Sequence, residues 1–168
     1  MLAGLLLTAA WHDIKSHRIP NLLILAGALT GVFLRAWLEG WLGVALAIEG
    51  FLVGLVVLLP FYIFRMLGAG DVKLMAMVGV YLGPWGVLGA LLATFLAGGV
   101  LAVAVAMQAG ALGRMAHNLK LMAFGSMLRI SEGKAPSVDD LPESVGKLPY
   151  AVAIAAGTLG YVAWRYTK

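Results

Sequence analysis

Two aspartates stand out in a sequence that is otherwise apolar around them. Asp13 follows the apolar run Met1–Trp11, and Asp71 closes the tetrapeptide Gly68-Ala69-Gly70-Asp71 ahead of a further apolar stretch. An ionisable side chain inside hydrocarbon is costly and turns toward a partner or a wet cavity. Two carboxyls that meet in one cavity can share a proton and activate a water between them, as the acids of an aspartic protease do. The chemistry implied is peptide-bond hydrolysis within or beside a membrane.

Composition supports the membrane half of that statement. The chain has 168 residues, 62% hydrophobic and 12% charged, with a mean hydropathy of +0.95. A soluble domain carries about 25% charged residues, so a polytopic membrane protein is expected. No cysteine is present, which excludes a disulfide framework and a cysteine-based zinc site. His12, His17 and His117 are too scattered to suggest a metal site, and no cofactor is called for. The net charge of +4 sits in loops and bears on orientation rather than on nucleic acid. The first apolar run lacks a basic start and ends in charge, so it is not expected to be a cleavable signal.

Six hydrophobic segments position the acids: Met1 to about Lys15, Ile19–Leu38, Trp41–Phe64, about Asp71–Leu82, about Trp85–Gln108, and Leu148–Trp164. No charged residue occurs from Leu74 to Gly113. Forty helical residues would span ~60 Å, about twice the hydrocarbon thickness, so this run must fold back. Gly83-Pro84 is the expected break, because proline cannot continue a helix from within. The expected fold is therefore all-α and integral to the membrane: one domain over residues 1–168, six transmembrane helices, and a cytoplasmic loop over 110–147. In that loop Leu112, Met115, Leu119 and Met122 fall at helical spacing, which predicts a short amphipathic helix on the inner leaflet.

Loop charge sets the orientation. Lys15, Arg18, Arg65, Lys73, Arg114, Lys120, Arg129, Lys134 and Lys147 fall on one side, and Arg35, Arg165 and Lys168 on the other. The positive-inside rule puts the first group in the cytoplasm and both termini outside. Counting helix rise from Met1 to Asp13, and back from Gly83 to Asp71, places each acid ~18 Å from the outer boundary. Both lie in the cytoplasmic half of a core about 30 Å thick. Gly27-xxx-Gly31, Gly50-xxx-Gly54 and Gly79-xxx-Gly83 offer small faces for close helix packing. Gly68 and Gly70 give Asp71 an approach on which an extended peptide could lie close to the main chain.

These residues resemble a known family. Gly68-Ala69-Gly70-Asp71-Val72-Lys73 matches the GxGDxK signature of type IV prepilin peptidases. Asp13-Ile14-Lys15-Ser16-His17-Arg18-Ile19-Pro20-Asn21 resembles that family's first aspartate motif, and Leu148-Pro149-Tyr150-Ala151 through Gly157 resembles its last-helix motif. The resemblance implies a membrane aspartic endopeptidase that removes the short basic leader of prepilin-like proteins at the cytoplasmic face of the inner membrane. Asp13 and Asp71 would be catalytic, and Gly68, Gly70 and Lys73 would bind substrate. Without cysteines, the chain is similar to the short, peptidase-only form of tight-adherence pilus and archaeal preflagellin systems, rather than to the larger members that also methylate the new N-terminus.

Other residues carry smaller expectations. Lys73 lies two positions past Asp71, which on a helix separates the side chains in angle. It would hold substrate or reach toward headgroups. Ile19-Pro20-Asn21 reads as a helix start and a structural hinge. Glu49 lies inside the third segment, where it would be protonated, pair with Arg35 or line a wet cavity. Glu132, Asp139, Asp140 and Glu143 could attract a basic leader, or belong to a solvated linker. Two other classes compete: a proton-coupled transporter relaying through Asp13, Glu49 and Asp71, and an inactive assembly factor that only holds prepilins. Within the same chemistry, a signal-peptide-peptidase-like intramembrane protease would cut deeper in its substrate's apolar helix.

Overall fold

The computed structural model describes residues 1–64, 66–108, 110, 113, 117, 120 and 149–167. Their regular structure is all helical and includes four continuous helices: α1 (Leu2–Ser16), α2 (Asn21–Ile63), α3 (Ala69–Gln108) and α4 (Tyr150–Tyr166). α2 and α3 are each long and apolar enough to cross a membrane. The expected amphipathic helix and the four loop acids lie outside the described residues, apart from isolated positions in the loop.

α2 and α3 are not straight rods. α2 is interrupted at Gly40 (φ 62°, ψ −143°) and α3 at Gly83 (φ 74°, ψ 177°), both in backbone conformations that glycine tolerates and other residues rarely adopt. Pro84, next after Gly83, has no N–H to continue the ladder. Neighbour contacts give the direction of each half. Gly27 faces Met77, and Gly31 faces Val80 and Tyr81, so residues 21–39 run parallel to 69–82. Gly50 faces Gly79, and Gly54 faces Met75, so residues 41–63 run the opposite way. The chain thus reverses at Gly40. In the second half of α3, Gly86 faces Arg165, Gly89 faces Tyr161 and Gly98 faces Tyr150, which makes residues 84–108 antiparallel to α4.

The glycine pairs are where the halves touch. A Cβ on Gly50 would strike the Gly79 carbonyl, and one on Gly79 would strike that of Gly50. Such backbone contact is how helices gain dispersion attraction where lipid offers no hydrophobic drive. The core around it contains Leu6, Leu58, Leu74, Met75, Met77, Val87 and Ile154. Outward, Leu22, Phe33, Leu52, Leu92, Leu96 and Val100 are exposed. A surface so apolar requires lipid around it, and the protein is a membrane protein.

Of the three readings open for Glu49, pairing with Arg35 is not the one found. Arg35 does not reach Glu49: its Nη1 donates to Glu39 Oε2 at 3.0 Å, and its Nη2 to the Tyr81 carbonyl at 2.9 Å. Glu39 lies one turn along the same helix, in the i, i+4 geometry that brings side chains together without bending the chain. Glu49 is exposed on the outer face of α2.

Candidate active site

Asp13 lies in the last turn of α1, on the side that buries Leu6 and Ala9. It is itself only 8% exposed. α1 ends at His17, whose left-handed conformation (φ 48°) turns the chain and whose N–H donates to the Asp13 carbonyl. The Asp13 side chain has a distant partner: the Ala151 N–H donates to Asp13 Oδ2 at 3.0 Å in a buried hydrogen bond. α4 begins after Pro149 with no side-chain cap. Its first-turn N–H groups need acceptors, and Asp13 supplies one.

Asp71 occupies the first turn of α3. The Gly68 N–H donates to Asp71 Oδ2 at 3.2 Å, and the Asp71 N–H donates to the Gly68 carbonyl at 3.1 Å. This is the reach-back of a capping box, made by an acid at its third position. It gives Asp71 a structural duty as well as a chemical opportunity. A Cβ at Gly68 would come within 3.1 Å of Asp71 Oδ2, closer than most such contacts, so a side chain there would press on the carboxylate. Neither Gly68 nor Gly70 has a positive φ. Gly70 rests on the Ile19 side chain at ordinary contact distance.

The two acids, 58 positions apart in sequence by their numbers, converge at one end of the helices. Asp71 lies near enough to Asp13 to feel its charge. Tyr150 is in turn near enough to Asp71 to feel its charge. Lys73 does not turn to Asp71. Its Nζ donates to Asn21 Oδ1 at 3.2 Å, tying the start of α3 to the start of α2. The segment Ile19-Pro20-Asn21 therefore packs on Gly70 and Lys73 and joins the site's wall. Among the described residues no cluster of His, Cys, Asp and Glu could hold a metal ion.

Tyr150 and Ala151 at the site, and Asn21 beside it, lie inside the motifs quoted from the sequence, but their residue types assign them no role there. Ala151 acts through its backbone, which carries no side-chain signature. The available signal is positional, since Pro149 immediately before an apolar run marks a helix start and hence free N–H groups.

The fold and site define a membrane protein in which two acids from separate helices meet at one end of the bundle. Residues 1–103 match the model of the type IV leader peptidase family, and the chain belongs to that family, one of aspartic prepilin leader peptidases. Comparisons with curated proteins and with solved structures gave no match. The matched region contains both aspartates and stops before α4.

Proposed function

We propose that the chain is a single-domain prepilin leader peptidase in which Asp13 and Asp71 are the catalytic pair. The observation that carries this is that Asp13 and Asp71, from separate helices, lie near enough at one end of the bundle for Asp71 to feel the Asp13 charge. Two carboxylates that close on one water do not both ionise cheaply, so the pair keeps one proton. The ionised acid takes a proton from a water held between the two. That water attacks the scissile carbonyl, which the protonated acid polarises before helping to protonate the leaving amine. No step needs a metal or a cofactor.

The six helical segments each cross the bilayer in this account, with the acids toward the cytoplasm. Beyond loop charge, the aromatic residues support it. Trp37, Trp41, Trp85, Trp164 and Tyr166 are exposed and lie near Gly40, Gly83 and the end of α4, all at the end remote from the acids. Amphipathic rings collect at a membrane–water boundary. The substrate is a prepilin-like protein whose basic leader stays on the acid-bearing side. Gly68 and Gly70 leave room beside Asp71 for its extended chain.

Lys73 holds substrate near Asp71 from its anchor on Asn21. Lys73→Ala should lower leader cleavage by roughly 10-fold while changing stability by less than about 1 kcal/mol, the range of an exposed polar tie. Asn21→Ala is the control: cleavage lost equally in both variants would assign Lys73 a purely structural tie. The function itself is tested by incubating detergent-purified protein with a prepilin and sequencing the new N-terminus. A cut just after the basic leader is expected. A cut deep in the apolar helix would favour the signal-peptide-peptidase-like reading, and an uncut substrate would favour a transporter or an inactive holder.

A further inference from the structure

We propose that the first turn of α4 makes the two acids unequal: the Ala151 N–H fixes Asp13 as the ionised, water-activating member and leaves the shared proton on Asp71. This rests on the pairing of Asp13 and Asp71 proposed above and assigns a role to each.

Both acids sit at a helix N-terminus, Asp71 within its own helix and Asp13 against the start of another. The helix dipoles therefore do not separate them. The hydrogen bonds do. The bond to Asp13 is buried, 3.0 Å long, and comes from a fully buried residue. The bond to Asp71 is exposed and 3.2 Å long. A hydrogen bond to a carboxylate favours its charged form, and more strongly where water is excluded. A neutral carboxyl would still accept the Ala151 N–H through its carbonyl oxygen, but the charged form accepts it more strongly, so the bond favours ionisation of Asp13. Asp71 of α3 lies near enough to Asp13 to feel its charge, Tyr150 of α4 lies near Asp71, and Asn21 of α2 is occupied by Lys73. On α1 itself the His12 ring is turned back to the Thr8 carbonyl. No described cation competes with the Ala151 N–H for the Asp13 carboxylate, so Ala151 acts as a positioning residue through its main chain.

The wild-type protein tests this without substitution. With 15N-alanine label in detergent micelles, the Ala151 amide reports the ionisation of the carboxylate it bonds; Ala151→Gly, which loses the label but keeps the N–H, identifies its signal. The amide proton is expected to move downfield at the acidic limb of the cleavage–pH profile. Movement only at the alkaline limb would show that Asp71 ionises first and overturn the assignment. A second measurement replaces Ala151 by lactic acid, turning the amide into an ester and deleting only the N–H. The acidic limb should then rise by about one pH unit, the size of one charge-assisted hydrogen bond, with the alkaline limb fixed. A rate lowered at all pH values with neither limb moved would reduce Ala151 to a structural contact. If the wild type cuts no prepilin, the peptidase reading fails on its own, while comparing the Ala151 amide titration in the wild type and in Asp71→Asn still reports which acid ionises first: an unmoved midpoint would mean that Asp71 was already neutral, and a lowered one that Asp71 ionises before Asp13.

Discussion

Asp13→Asn and Asp71→Asn should each lower prepilin leader cleavage by about 10³-fold or more, because each removes a group that moves a proton in the transition state. The substitutions are chosen to spare the fold. The carboxamide introduced at position 13 would keep an oxygen to accept the Ala151 N–H, and the one introduced at position 71 would keep an oxygen for the Gly68 N–H. Those are the two bonds that hold these side chains in place. Thermal unfolding and detergent elution should therefore match the wild type. The double variant should be no slower than the worse single one, since groups that act as a unit are not additive. Assay by gel shift of a purified prepilin in detergent gives the answer directly. Substantial cleavage by either single variant would separate the two acids functionally.

The second large effect concerns packing. Gly79→Val should destabilise the protein by about 3 kcal/mol, at the upper end for an overpacked site, because the obstacle is main chain and no rotamer change can relieve it. The Cβ would meet the Gly50 carbonyl carbon and oxygen and the Phe51 nitrogen. The two halves of the long helices must then separate along the α2–α3 interface. That shift would carry α3, and with it Asp71, away from Asp13, so cleavage should fall together with stability. A drop in unfolding temperature of roughly 10 °C corresponds to that free energy for a chain of this size. Gly99→Val is the matched control: nothing lies within 4 Å of its Cβ position, and neither stability nor cleavage should change appreciably. Equal tolerance of both substitutions would mean that the Gly50–Gly79 contact does not hold the helices together.

Much of this arrangement is legible from residue spacing. That each run must reverse follows from length, since neither the 43 residues of α2 nor the 40 of α3 fit one crossing; Gly83-Pro84 marks the place in α3, whereas α2 offers both Gly40 and Pro60 and the chain turns at Gly40. Equal helix rise puts Asp13 and Asp71 at a similar depth, but it does not say that their helix faces turn toward one another. The glycine contacts are visible as spacing, but their partners are not, because nothing in a GxxxG pair says which helix it meets. Arg35 shows the limit for charges. Depth alone makes Glu49 a plausible partner, yet Glu39, four residues along one helix, needs no tertiary packing to be reached. Lys73 likewise finds Asn21 only once α2 and α3 are docked. The start of α4 is the least legible part of the site. It reaches Asp13 through a main-chain N–H, identical for nearly every residue type, and only the fold decides which N–H groups remain free.

The natural absence of cysteine allows the central claim, that the two acids meet, to be measured in the native membrane. Cysteines placed at 13 and 71 report only on each other. With Asp13→Cys and Asp71→Cys combined, and a protease site inserted in the 110–147 loop used only to confirm intact chains, a short bifunctional thiol reagent should bridge the pair in membranes. The bridge would be read by mass spectrometry of the linked peptides. Asp13→Cys combined with Glu49→Cys, whose partner faces outward, should give none. Failure to bridge 13 and 71, with both thiols shown to be reactive, would contradict the convergence on which the proposed chemistry depends.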